Sequence, residues 1–239
     1  MAKGGKIKED HGSRIHILKW VEHPDFTNQL SRLLCHTGAT IQSVDVWMPR
    51  GFCEPKEARL GRFDPLPTCV QRALQDWWLV HKRGANTPNW DLASTCTVQG
   101  QRGLVLIEAK AHIGEFRQNN YCRATNRENY ERIGHAINEA SIALAKVVPG
   151  VSISRDTHYQ LANRVAFSWK IASLGVPVIL VYLGFLGDKG FTDPFRDEKH
   201  WEQELQKYMD RHIPGEFRDR WIDCGKAQMQ MIVRSLPAE

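Results

Sequence analysis

Residues 89–111 read NWDLASTCTVQGQRGLVLIEAKA and contain the clearest structural pattern in the chain. Residues 89–98 mix apolar and β-branched side chains, residues 99–103 are polar and glycine-containing, and residues 104–111 open with Leu-Val-Leu-Ile. This order is typical of two antiparallel strands joined by a loop of a few residues. Because every position from 104 to 107 is apolar, the second strand is expected to be covered on both faces. The sequence therefore predicts a β-hairpin inside a layered protein.

Two charged residues directly follow the apolar part of the second strand. Side chains alternate along a strand, so Glu108 and Lys110 should point to one face while Ala109 points to the other. Burying Glu108 there costs desolvation free energy unless a partner neutralises its charge. If the hairpin turns near residues 100 and 101, Asp91 lies across from residues 108–110. The hairpin thus predicts that two carboxylates and one ammonium group converge.

The triplet of an acid, any residue and a lysine occurs three times in the chain, at residues 54–56, 108–110 and 197–199. Proline interrupts the first copy, in a loop-like region. The last copy lies in a run of charges that is typical of an exposed helix start. Only the copy at residues 108–110 ends a buried strand, and this context distinguishes it from the other two.

The remaining elements alternate between helix and strand. Helical periodicity predicts helices over residues 68–81, 133–147, 156–174 and 196–212, and apolar runs predict strands over 177–183 and 228–233. Residues 15–21 and 39–47 are compatible with short strands or with helix pieces. The predicted fold class is mixed α/β (α+β), with a central mixed β-sheet flanked by helices. We expect a flexible basic arm over residues 1–12 and a single domain over 13–239, with its motif core at about 67–186.

Composition limits the class of protein. A chain of 239 residues that is 42% hydrophobic can bury a full core. Its apolar runs are far shorter than the ~20 residues needed to cross a bilayer, so no membrane partner is expected. Six scattered cysteines without a Cys-x-x-Cys pair or a secretion signal predict reduced thiols and a cytoplasmic location. The net charge of +5 is compatible with a polyanionic partner but does not require one.

On these residues the sequence resembles the PD-(D/E)XK nuclease superfamily, over residues 89–91 and 104–110 and, more loosely, over about 67–186. The resemblance implies the restriction-endonuclease-like fold, with Asp91, Glu108 and Lys110 as catalytic residues. Asp91, Glu108 and the Ala109 carbonyl would hold Mg²⁺, for which Mn²⁺ could substitute, and paired hard oxygen ligands suit that ion. Lys110 would assist the attacking water. The expected activity is metal-dependent phosphodiester hydrolysis, with DNA as partner and a homodimer as one possible state.

Several points stay open at the level of sequence. Trp90 stands where the namesake motif has proline, and an additional acid could come from Glu54, Glu57 or Asp76. The less apolar side of the 156–174 helix is either a nucleic-acid-binding surface or ordinary helix polarity. Its candidate contacts are Gln160, Asn163, Arg164 and Lys170. The alternative function is a non-catalytic nucleic-acid-binding or scaffolding protein that retains the same fold.

Overall fold

The structure is a computed structural model that describes residues 11–63, 65–117 and 120–239. Most of the predicted arm, residues 1–10, lies outside the described residues. The described helices are α1 (Ser13–Glu22), α2 (Phe26–Leu33), α3 (Thr68–Trp78), α4 (Arg127–Val147), α5 (Tyr159–Ser173) and α6 (Glu198–Met209). The strands are β1 (Ala39–Thr40), β2 (Trp47–Met48), β3 (Ala58–Arg59), β4 (Asn89–Trp90), β5 (Leu92–Val98), β6 (Gln101–Lys110), β7 (Val178–Leu186), β8 (Trp221–Asp223) and β9 (Gln228–Pro237).

A seven-stranded sheet organises the fold. Its strand order is β1-β5-β6-β7-β9-β8, with β2 also paired to β5, while β3 and β4 form a separate two-stranded sheet. Strand β7 is parallel to both β6 and β9, and the other pairs are antiparallel. The predicted fold class, a mixed sheet flanked by helices, is confirmed. None of the described helices combines the length and the apolar character needed to span a membrane.

The predicted hairpin is confirmed as the pair β5–β6. Val98 faces Gln101, which leaves Gln99 and Gly100 as a two-residue turn. Both turn residues have positive φ, 49° and 80°, and this combination matches the right-handed twist of the flanking strands. The loop is therefore shorter than the predicted residues 99–103, because residues 101–103 already pair with β5.

Helices cover both faces of the sheet. Leu104 and Leu106 of β6 pack into a core cluster that also contains buried residues of α3, α4, α5 and α6. Val105 and Ile107 point to the opposite face, where they pack with residues of α1 and α2. This two-sided covering explains the unbroken apolar run in β6, since neither face of the strand meets water.

Element boundaries differ from the predictions in ways that have local causes. Residues 15–21 are helical, as part of α1, and residues 39–47 contribute only to the two-residue strands β1 and β2. Helix α3 ends at Trp78, three residues before the predicted end. Beyond it, the Asn129 side chain accepts hydrogen bonds from the backbone N–H groups of Val80 and His81, at 2.9 and 2.8 Å. These bonds replace a further turn of helix.

Gly184 of β7 is a position where any side chain would collide with the core. It pairs with Lys110 across the β6–β7 ladder, and a Cβ built on it would stand 2.5 Å from Cδ2 of the buried Trp201. We expect Gly184→Ala to lower the free energy of unfolding by about 1–3 kcal/mol, because the core must shift to admit the methyl group. Urea denaturation measures the change. Gly215→Ala is the control, since its Cβ would have nothing within 4 Å, and equal stability of the two variants would contradict the expectation.

Candidate active site

The open end of the hairpin brings the three predicted site residues together. Asp91 lies between β4 and β5, and continuing the register from the pair Leu92–Ile107 sets it opposite Glu108. One carboxylate oxygen of Asp91, Oδ2, accepts a hydrogen bond from the backbone N–H of Ala109 at 2.7 Å. Glu108 and Lys110 lie on the same face of β6, as their spacing predicts. Strand pairing thus brings Asp91 next to the triplet at residues 108–110.

Glu108 is the centre of a buried ion-pair network. It is 1% exposed and Lys110 is 5% exposed. Lys110 Nζ donates to Glu108 Oε1 and also, at 3.0 Å, to Gln160 Oε1, while Arg164 Nε donates to Glu108 Oε2 at 2.5 Å. Burial alone would raise the pKa of Glu108, but the positive charges of Arg164 and Lys110 outweigh it and hold that pKa below its ordinary value. Glu108 is therefore ionised.

Arg164 was predicted as a nucleic-acid contact, and the structure shows it as a buried partner of Glu108. It is 6% exposed, and its guanidinium carbon lies 4.6 Å from the centre of the Trp90 ring. Its Nη1 also donates to Asn163 Oδ1 at 2.8 Å. Trp90, the departure from the namesake motif, thus provides the surface on which Arg164 rests. The signal in the sequence was the need to neutralise Glu108, together with an arginine close to apolar residues in α5.

Asp91 differs from Glu108 because it has no ion-pair partner among the described residues. It is partly buried. Burial, followed by the negative charge of Glu108, raises the pKa of Asp91 to about 8, and the charge of Lys110 offsets this only in part. A carboxyl group that lacks a counter-cation and sits beside a second carboxylate is stabilised in its ionised form by a bound cation.

The carboxylate oxygens of Asp91 and Glu108 are donors of the kind that a hard divalent cation prefers. Mg²⁺ is commonly held by one or two carboxylates, with water and substrate oxygens filling its other positions. Asp91 and Glu108 would be the two carboxylates of such a site. Within residues 11–63, 65–117 and 120–239, no group of three or more His, Cys, Asp or Glu side chains is placed to hold a metal ion. The predicted metal contact of the Ala109 carbonyl stays a prediction.

Asp91 opens onto a cleft of about 680 Å³. Of the three candidate additional acids, Glu57 lines this cleft, accepts a hydrogen bond from Asn89 at 2.9 Å and contributes to the raised pKa of Asp91. Glu54 is exposed. Asp76, on α3, forms an exposed ion pair with Lys82. The structure therefore brings only Glu57, among these three, to the candidate site.

The candidate nucleic-acid contacts divide into two groups. Gln160, Asn163 and Arg164, near the start of α5, line the cleft. Lys170 lies farther along α5, where it pairs with Glu139 at 3.0 Å and contacts the faces of two tryptophan rings. Contact of these residues with nucleic acid stays a prediction, and the cleft favours the first three over Lys170.

The raised pKa of Asp91 makes stability depend on pH. Its folded-state pKa, about 8, lies above the ordinary 3.8. The folded protein therefore keeps a proton that the unfolded chain loses, and stability falls as pH rises from about 4 to about 8. In buffer that contains EDTA, we expect the Tm of the wild type to fall between pH 6 and pH 9. This fall should exceed that of Asp91→Asn by about 5 °C. The exposed Asp210→Asn is the control, and parallel pH profiles for wild type and Asp91→Asn would contradict the assignment.

The geometry combines an ionised glutamate and a lysine, both buried, with a neighbouring aspartate that lacks a counter-cation and lines an open cleft. Such a set can bind a divalent cation and present an ammonium group to an anion beside it. Comparison of the chain with protein-family models, with curated proteins and with solved structures finds no match.

Proposed function

We propose that this protein is a metal-dependent nuclease that hydrolyses phosphodiester bonds in DNA. The observation that carries the proposal is the convergence of Asp91, Glu108 and Lys110 beside an open cleft, with Asp91 lacking a positive partner. Coincidental surface ion pairs are solvated and need no cation, whereas this buried arrangement gains from one. The proposal includes the restriction-endonuclease-like fold that the motif implies.

In this proposal Asp91 and Glu108 hold Mg²⁺, or Mn²⁺ in its place. The bound ion supplies positive charge to a phosphate oxygen and lowers the pKa of water. Arg164 is a positioning residue, because it fixes Glu108 through its Nε donor and rests on Trp90. The neighbouring Glu57 is available to bind water in the outer part of the site.

Lys110 acts as an ammonium group in this scheme. Burial lowers its pKa, but the charges of Glu108 and Asp91 outweigh burial and hold that pKa above its ordinary value. An ammonium group donates hydrogen bonds and cannot accept a proton. We therefore assign Lys110 to orienting the attacking water and to stabilising the negative charge that develops on the phosphoryl oxygens.

We also propose a cytoplasmic location. All six cysteines are free, at positions 35, 53, 69, 96, 122 and 224, and two of them, Cys96 and Cys224, are buried. Unpaired thiols are usual in a reducing compartment. A homodimer is compatible with the proposal and stays a prediction.

A second candidate function is a nucleic-acid-binding or scaffolding protein without hydrolytic activity. The observation that favours it is that both oxygens of Glu108 are already engaged, one by Lys110 and one by Arg164. A cation would have to share Glu108 with these two partners. This candidate predicts binding of DNA without turnover under any divalent cation.

Digestion of a substrate panel tests the proposed function. The panel contains circular, linear, branched and single-stranded DNA, incubated with Mg²⁺, with Mn²⁺ or with EDTA. We expect cleavage with either cation and none with EDTA, and we expect Asp91→Asn to be inactive under all conditions. Absence of cleavage across the panel, with DNA binding retained, would establish the second candidate instead.

A further inference from the structure

The cleft beside Asp91 is lined by groups that suit a polynucleotide chain. Residues 81–89, residues 121–126 and the first turns of α5 all contribute to its lining. Carboxylates are few in it: the acidic side chains of the lining are Glu57 and Asp91. Most of the other polar groups that line the cleft are amides and cations.

Tyr121 is an aromatic side chain left open to solvent at this cleft. It is 76% exposed, and its ring makes no contact with another aromatic ring among the described residues. Exposing so much aromatic surface costs free energy in the unbound protein. A nucleobase stacked on the ring would cover that surface, and base–aromatic stacking is the usual contact of proteins with unpaired bases.

Two arginines of the lining are available for phosphates. Neither Arg83 nor Arg123 forms an ion pair within the described part of the chain, in contrast to Arg127, which pairs with Glu131. Guanidinium groups without a carboxylate partner bind phosphate oxygens with two parallel hydrogen bonds. Together they give the cleft a positive lining outside its acidic floor.

Two side-chain amide groups that line the cleft have unused hydrogen-bond donors. Gln160 accepts a hydrogen bond from Lys110 through Oε1, and Asn163 accepts one from Arg164 through Oδ1. Their amide nitrogens have no hydrogen-bond partner among the described residues, although Asn163 is only 4% exposed. These nitrogens are therefore held in place and free to donate to a phosphate or to a base edge.

We infer that the cleft binds single-stranded DNA, with a base stacked on Tyr121 and backbone phosphates at Arg83 and Arg123. The inference rests on the proposed function, because it makes the cleft the path by which a strand reaches Asp91. A duplex does not fit this chemistry, since its bases are stacked on each other and offer no face to Tyr121. The volume of about 680 Å³ suits a few nucleotides of one strand.

Binding measured in EDTA tests the inference separately from cleavage. The probes are a fluorescent oligothymidine of about ten nucleotides and a duplex of the same length, followed by fluorescence anisotropy. We expect the single strand to bind more tightly than the duplex. Tyr121→Ala should weaken single-strand binding by about tenfold or more, whereas Tyr121→Phe should bind like the wild type because it keeps the stacking face. Phe52→Ala is the matched control, since Phe52 is 41% exposed and does not line the cleft.

The possible outcomes separate the two proposals. Single-strand binding that is unchanged in Tyr121→Ala, or equal affinity for the duplex, overturns the inference even if the protein cleaves DNA. Binding that depends on Tyr121, without cleavage of any substrate in the panel, supports the inference and rejects the nuclease. Circular dichroism of each variant confirms that a loss of binding is not a loss of fold.

Discussion

Lys110→Ala is expected to lower the rate of DNA cleavage in Mg²⁺ by about 10²–10⁴-fold, because it removes the ammonium group that meets the developing charge and the attacking water. Glu108 keeps Arg164 as a partner in this variant, so its charge remains compensated. The loss should therefore fall on the chemical step. Single-turnover digestion of the best substrate of the panel gives the rate, and thermal unfolding shows whether the fold persists.

Lys199→Ala is the matched control for this variant. Lys199 ends another acid-x-lysine triplet, at residues 197–199, at the start of α6, but it is exposed and forms no ion pair with Glu108. We expect it to cleave DNA at the wild-type rate. Lys110→Arg keeps the positive charge but changes its geometry. We expect its cleavage rate to lie between those of Lys110→Ala and Lys199→Ala. Cleavage by Lys110→Ala at the rate of Lys199→Ala would remove Lys110 from the mechanism.

Arg164→Ala should cause the largest loss of stability. The variant leaves Glu108, which is 1% exposed, with Lys110 alone, and it takes away the cation that rests on Trp90. Breaking a buried ion pair from one side costs about 3–5 kcal/mol, and although Lys110 still balances the charge of Glu108, the carboxylate oxygen Oε2 loses its donor inside the protein. The corresponding fall in Tm is about 10 °C for a chain of this size. Differential scanning calorimetry provides the measurement.

Two further variants separate charge from packing at Arg164. Arg127→Ala removes an arginine that is 91% exposed and pairs with Glu131, and it should leave the free energy of unfolding close to that of the wild type. The double variant Arg164→Ala, Glu108→Gln should be less destabilised than the sum of the two single losses, because the ion pair that each single variant breaks is lost only once. If the double variant is less stable than the wild type by the sum of the two single losses, the two residues do not interact.

The hairpin and the helices after it could be predicted because their signals are local. Residues 104–107 are apolar at every position, and glycine near the turn sets where the strands reverse, so register and the meeting of Asp91 with Glu108 follow. Helix α1 could not be predicted in the same way. Six of its ten residues are buried, among them His16, so no single apolar stripe marks it as a helix. Strands β1 and β2 span two residues each, which is too short to show the alternation of side chains that marks a strand.

The part of the site that escaped prediction depends on contacts that are distant in sequence. Arg164 meets Glu108 across 56 residues, and nothing near either residue specifies the other. The sequence did indicate that Glu108 needed a neutralising partner, but only the packing of α5 on the sheet selects which cation provides it. The contact between Trp90 and Arg164 depends on the same packing. Local patterns therefore predicted the acids and the lysine, while the positioning residues required the fold.

The buried cluster has a charge balance that follows from the unusual pKa of Asp91. Below about pH 8, with Asp91 protonated, Glu108 contributes one negative charge against the two positive charges of Lys110 and Arg164, so the cluster carries one net positive charge. When Asp91 ionises, the cluster becomes neutral. In the proposed function, a divalent cation and one phosphodiester would together bring one net positive charge, which would restore the first value. Exchanging a proton for a metal ion and substrate would thus leave the net charge of this cluster unchanged, and no other residue of the cluster would have to gain or lose a proton.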